Sequence, residues 1–147
     1  MINKHLIHQV VEAKALTCPE AIAVEYASIK LSYATLMAES DKLAQALPGQ
    51  KGDVVAMLCN EKLLQLYALL GVFKSGLIYL PLDSQHKDNH WAEVYNKLKP
   101  QVMVSTDDQL EIITNYNNRF AHSINTLLII DKDASGLLEI KRYSWHE

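Results

Sequence analysis

The stretch from Asn60 to Asp83, NEKLLQLYALLGVFKSGLIYLPLD, limits the fold more than any other part of the chain. From Leu63 to Phe73 its only strong hydrogen-bonding side chains are Gln65 and the Tyr67 hydroxyl. The pattern predicts a buried helix, followed at Leu77–Leu82 by a short buried strand. Asn60 stands where a helix cap belongs, and Glu61 suits the positive first turn. Lys74 and Gly76 supply a left-handed stop. A surface helix shows a single apolar stripe, whereas one apolar nearly all round must be covered on several sides. Leu63, Leu64, Leu66, Leu69, Leu70, Val72 and Phe73 cannot all face one sheet, and Gly71 would admit a neighbouring backbone closely. The expectation is a helix between two layers, one of them missing from this chain.

Composition bounds the rest. At 147 residues the chain is one domain's worth, and 49% apolar with 21% charged residues describes an ordinary globular protein. A net charge of −3 argues against nucleic acid or an anionic membrane as partner. Cys18 and Cys59 lack metal-type spacing and form no disulfide framework, which points to a reducing compartment. The first ten residues have no signal-peptide core, and the run between Lys62 and Lys74 is too short to span a bilayer. The expected location is the cytoplasm.

In order, the chain predicts a helix over His5–Leu16 with Leu6, Val10 and Ala13 on one side, ended by Cys18-Pro19. Ile22–Tyr26 and Ile29–Tyr33 read as a hairpin whose link, Ala27-Ser28, lacks the usual Gly or Asn. Ser32 caps a helix over Tyr33–Leu47. Its inner stripe is Tyr33, Leu36, Met37, Ser40, Leu43, Ala44 and Leu47, while Glu39, Asp41, Lys42 and Gln45 face water. Val54–Cys59 is a buried strand. A helix with Trp91, Val94, Tyr95 and Leu98 inward stops at Pro100, and Val102–Ser105 is a second buried strand. Thr106-Asp107-Asp108-Gln109 has the capping-box pattern for a helix through Ile113. Leu127–Ile130 is the last strand, and residues 136–147 are left without an assignment. Alternating elements predict an α/β fold, a single domain over 1–147 with a mainly parallel sheet and an N-terminal helix and hairpin.

Few residues suggest chemistry. His86 and His90, near Asp83, Asp88 and Glu93, could bind a metal on a helix, as could His5, His8 and Glu12; no third ligand is fixed by spacing in either set. A solvated loop and a solvated helix face are the simpler readings. Asp107, Asp108 and Asp131 could meet at the carboxyl ends of parallel strands, as in a magnesium-binding receiver, but helix capping also explains the first two. Lys74-Ser75 could be a base and nucleophile, or just a helix end beside its glycine. No Gly-x-x-x-x-Gly-Lys-Ser/Thr or Gly-x-Gly-x-x-Gly loop occurs. No catalytic, cofactor-binding or metal residue is assigned.

Three runs carry a family resemblance. Phe73-Lys74-Ser75-Gly76-Leu77-Ile78-Tyr79-Leu80-Pro81-Leu82-Asp83 resembles the second core motif of adenylate-forming ligases, in particular the amino-acid adenylation domains of nonribosomal peptide synthetases. Leu31-Ser32-Tyr33-Ala34-Thr35-Leu36 is similar to the first core motif, with Thr35 where the family carries Glu, so half of a capping box is lost. Leu16–Val24 is similar to the Thr-x-Pro-x-Ala-x-Ala-Val stretch that opens this fold, with Cys18 between the threonine and Pro19. The resemblance covers Ile7–Asp83 well and Pro100–Asp131 loosely. In the family the phosphate-binding loop, substrate pocket and catalytic lysine come after the segment where this sequence stops. ATP and magnesium therefore belong to the full-length family, and this chain alone is expected to bind neither.

Three functions follow. The first is a partial adenylation domain that cannot activate an amino acid by itself, its partner being the remaining domain or another synthetase protein. The second is a stand-alone docking, dimerisation or scaffold module of a biosynthetic assembly, its apolar helix covered by a second copy or by another synthetase protein. The third is a flavodoxin-like regulatory or nucleotide-binding domain. A reading frame continuing into a Thr-Ser-Gly-rich loop would favour the first over the second.

Overall fold

The computed structural model describes residues 6–82, 89–116 and 124–144. Helix α1 (Ile7–Thr17) precedes a hairpin of β1 (Ile22–Tyr26) and β2 (Ile29–Ser32). Helix α2 (Tyr33–Ala46), β3 (Val54–Leu58), α3 (Lys62–Lys74) and β4 (Ile78–Pro81) follow. Then come α4 (Asn89–Leu98), β5 (Val102–Ser105), a 3-10 turn (Asp107–Gln109), α5 (Leu110–Tyr116), β6 (Thr126–Lys132) and β7 (Leu138–Ser144). Five strands form one sheet in the order β4-β3-β5-β6-β7, parallel except for β7. This is the expected mainly parallel α/β architecture with its N-terminal helix and hairpin.

The sheet separates two apolar layers. On one face Val55, Met57, Val104, Leu128 and Ile130 pack with Leu63, Leu64, Tyr67 and Leu70 of α3. On the other, Ala56, Leu58, Met103, Leu127 and Ile129 pack with Trp91 of α4 and Ile113 of α5. Alternation along each strand sends neighbouring residues to opposite layers.

Helix α3 lies between two layers, as predicted, but both come from this chain. The sheet covers one side, and α2, with α1 and the hairpin, covers the other. Of the residues of α3 only Lys62 is exposed. The predicted missing layer is therefore overturned, because the inner stripe of α2 is spent on covering α3. Gly71 makes the close approach predicted for it, to a side chain: a Cβ there would lie 3.0 Å from Leu43 Cγ. The end of α3 is a Schellman stop. Gly76 takes φ +73°, its amide bonds to Phe73, and the Leu77 amide bonds to Val72. The N-cap is Glu61 rather than Asn60, with Glu61 Oε2 accepting from the Leu64 amide at 2.7 Å.

Other local expectations divide. Ser32 caps α2, its Oγ accepting from the Thr35 amide at 3.1 Å, and the Thr35 hydroxyl also meets Ser32 Oγ. The hairpin turn places Ala27 at φ +53°, a left-handed turn without glycine. Glu39, expected in water, is 5% exposed because the start of β7 passes over it. Its Oε2 accepts from the Leu138 amide at 3.1 Å, and Lys42 pairs with it. The predicted α1 stripe does not hold: Val11 and Ala15 are half-buried, while Leu6, Val10 and Ala13 are exposed. Leu98 is likewise exposed. Strand β4 is an edge rather than a buried strand, with Ile78 half exposed and Pro81 at a place only an edge tolerates. Leu127–Ile130 is not the last strand. The unassigned tail supplies β7, antiparallel to β6 from Lys132↔Leu138 to Thr126↔Ser144.

Candidate functional site at the carboxyl edge of the sheet

From β3 the chain crosses through α3 to β4 on one side, then returns through α4 to β5 on the other. Neighbours β3 and β5 thus flank a switch point, the place where open α/β sheets leave a crevice beyond the strands' carboxyl ends. A cleft of about 500 Å³ lies there. Asn60, Glu61 and Leu64 line it after β3, Thr106–Asp108 after β5, Ile130–Lys132 from β6, and Tyr26 from the hairpin. The Ser105 hydroxyl donates to the Leu58 carbonyl at 2.5 Å and ties the two flanking strand ends together.

An ion pair holds one wall. Lys132 Nζ lies 2.9 Å from Glu61 Oε1 and 5.6 Å from the centre of the Tyr26 ring. Burial pushes the Glu61 carboxyl up, but Lys132, the Leu64 amide and the Tyr26 hydroxyl more than reverse that and leave it below the usual range. Across the cleft the Thr106 hydroxyl donates to Asp108 Oδ1, and Gln109 Nε2 donates to Asp108 Oδ2 at 3.1 Å. The Thr106 bond, opposed by burial and helped by Gln109, holds the Asp108 carboxyl low. The predicted capping box does not form, because Thr106 gives its hydroxyl to Asp108 and the helix opens as a 3-10 turn. Beneath lies Cys59, 3% exposed, whose thiol burial pushes up; the Glu61 amide offsets part of that, and the charges of Glu61 and Asp108 add to it. Near pH 7 the Glu61 and Asp108 carboxylates therefore stay charged while the Cys59 thiol keeps its proton.

Asp107, Asp108 and Asp131 do converge here, as their positions after parallel strands predicted. Their partners differ from a receiver's: Asp131 Oδ1 accepts from the Lys132 amide at 2.8 Å, and Asp108 is taken by Thr106 and Gln109. Among the described residues no group of three His, Cys, Asp or Glu could hold a metal ion. His5, Asp83, His86 and Asp88 lie outside the described residues, as does the side chain of His90. Glu12 pairs with Lys74 at 3.3 Å instead of joining His8. Lys74 also pairs with Asp41, and Ser75 Oγ donates to the Ala44 and Gly71 carbonyls at 3.2 and 2.9 Å. Lys74-Ser75 is thus a clasp between helices. Sequence reasoning missed Tyr26, Glu61 and Lys132 as a set. Lys132, just past a strand ending in Asp131, carried a faint signal of position; Tyr26 carried none.

Residues 11–144 match the AMP-binding enzyme family. A linear gramicidin synthase of Brevibacillus parabrevis is 32% identical over 110 residues, 73% of this chain and 2% of that protein. Malpinin synthetase of Mortierella alpina is 35% identical over 106 residues, 70% of this chain and 1% of that protein. The D-alanine–D-alanyl carrier protein ligase of Staphylococcus aureus is 30% identical over 91 residues, 62% of this chain and 19% of that protein. Among solved structures, a putative long-chain-fatty-acid CoA ligase from Rhodopseudomonas palustris superposes with a TM-score of 0.75 at 20% identity, over 93% of this chain and 35% of that one. The N-terminal subdomain of Klebsiella oxytoca NpsA superposes at 0.60 and 17% identity, over 94% of this chain and 41% of that one. The unrelated flavodoxin-like reading is thereby replaced. The chain spans about a fiftieth or less of the curated synthetases it matches, and about a fifth of the ligase. With the family profile running along nearly the whole chain, and the two core-motif runs on β2–α2 and α3–β4, this protein belongs to the AMP-binding enzyme family.

Proposed function

We propose that this chain is the N-terminal part of an adenylation domain of the nonribosomal peptide synthetase type, not competent by itself to activate an amino acid with ATP. The observation that carries this reading is the family match over residues 11–144 at roughly a third of the length of the solved ligases. In this part of the chain the family's second core motif serves architecture. Lys74 and Ser75 clasp helices, Gly76 makes the stop, and Pro81 ends an edge strand. ATP and magnesium belong to the full-length enzyme, and the carboxyl-edge cleft is a poor fit to the nucleotide's phosphates. Glu61, Asp107, Asp108 and Asp131 face one ammonium, Lys132, and a polyphosphate would meet net repulsion there. The sequence also has no glycine-rich loop to cradle phosphates.

The partners on this reading are the rest of an adenylation domain, or another synthetase protein, in the cytoplasm. Among the described residues no helix is long and apolar enough to cross a membrane. The test is ATP–pyrophosphate exchange by the 147-residue chain with each proteinogenic amino acid. We expect none above background; robust exchange with any amino acid refutes the reading.

A further inference from the structure

Helix α3 is enclosed, whereas α1 turns its apolar side outward. The side of α1 facing α2 and α3 carries Val11 and Ala15, but also half-buried His8 and Glu12, the latter paired with Lys74. The opposite side carries Leu6, Val10, Ala13 and Thr17, all exposed and in one line at helical spacing. Ile7 and Leu16 flank that line, 60% and 86% exposed. A surface helix ordinarily does the reverse, with its apolar stripe inward and its charges in water. These outward side chains make a patch on the order of 400 Å², a size that on a monomer often marks an interaction site.

We propose that this face pairs with the same face of a second copy of the chain, α1 antiparallel to α1 about a two-fold axis between Val10 and Ala13. The stripe suits its own copy because its spacings of four, three and four residues read the same in both directions. Reversed, it sets Leu6 opposite Thr17 and Val10 opposite Ala13, a larger side chain over a smaller one at every level. Such layers interdigitate, whereas a parallel pair would set Leu6 on Leu6 and Ala13 on Ala13. Antiparallel helices also oppose their dipoles. Along the flanks Lys14 comes beside Ile7 and Gln9 beside Leu16, so no charge meets its like. A groove of about 400 Å³, lined by Val10, Val11, Ala13, Lys14, Thr17 and Tyr33, lies where the second copy's first turn arrives. Ile7 of the second copy enters it, and Leu6 of the second copy covers Thr17. The interface is isologous and closes with two copies. It buries on the order of 1,000 Å² in all, the low end for specific pairs, so association is weak.

The proposal does not depend on the adenylation reading, and pyrophosphate exchange does not bear on it. The test is sedimentation equilibrium of the whole chain and of two variants at exposed positions, with far-UV circular dichroism to verify each fold. The wild type is expected to be monomeric at ~10 µM and about half dimeric between ~0.1 and ~1 mM. Val10→Glu and Ala13→Lys each place two charges in the apolar seam and weaken association at least about tenfold. An equal mixture of the two variants associates again, because the carboxylate of one chain then lies opposite the ammonium of the other. A wild-type chain monomeric at about 2 mM overturns the proposal. So does a dimer that Val10→Glu leaves intact, or a mixture of the two variants that stays monomeric.

Discussion

Gly136→Ala tests how the N-terminal hairpin is held against the sheet. Gly136 lies in the turn between β6 and β7 at φ +89°, and a Cβ there would sit 2.7 Å from Ile29 Cγ2 of β2. Two costs therefore add. A left-handed backbone costs a residue with a Cβ about 1–2 kcal/mol. Forcing a methyl against a packed side chain costs about 1–3 kcal/mol more. The sum, roughly 2–5 kcal/mol, is a large share of the ~5–15 kcal/mol that holds a domain folded. Only the second part depends on Ile29, which gives a sharper version of the experiment. In Gly136→Ala/Ile29→Ala the offending methyl is gone, so the pair should be less destabilised than the sum of the singles by about 1–3 kcal/mol. Urea unfolding followed by circular dichroism measures each free energy, with unchanged slopes securing the comparison. A loss below about 0.5 kcal/mol for Gly136→Ala, or strict additivity of the pair, refutes the close packing described here.

Two further perturbations probe the site and the motif. Glu61→Ala removes the cap of α3 and the partner of Lys132, and should cost about 1 kcal/mol at pH 7. Since the folded Glu61 carboxyl titrates below its unfolded value, its contribution is complete above the unfolded pKa and disappears as pH falls through the folded one. Unfolding curves of variant and wild type should thus converge in acid; an equal gap at all pH values contradicts the ion pair. Lys74→Met keeps the aliphatic stem but frees α1 from α3 and α2, and should speed amide exchange in α1 while leaving α3 and β3 protected. Unchanged exchange in α1 would remove the structural role given to this lysine.

What the sequence disclosed was whatever depends on near neighbours. Ser32 as a cap, Gly76 as a stop, and the apolar runs at Val54 and Val102 are decided within a turn or a strand, and all are found in place. What it concealed depends on which elements lie side by side. Glu39 looks like a solvent residue until β7 crosses it, and β7 hides because only Leu138 and Ile140 of its residues turn inward. The α1 stripe is misplaced because that helix buries little, so exposed Leu6 and Val10 outweigh Val11 in the pattern. At the cleft, the aspartates are legible from strand ends, whereas Tyr26, Glu61 and Lys132 meet only after β1, α3 and β6 are assembled.

The claim on which the rest stands is that α3 is sheltered on both sides by its own chain. Native-state hydrogen exchange of the α3 amides from Leu66 to Val72, followed over a hundredfold dilution, tests it most directly. Exchange is expected only through global unfolding, at rates that dilution leaves unchanged. Rapid exchange in α3, or protection that fades on dilution, would mean that its cover comes from another molecule.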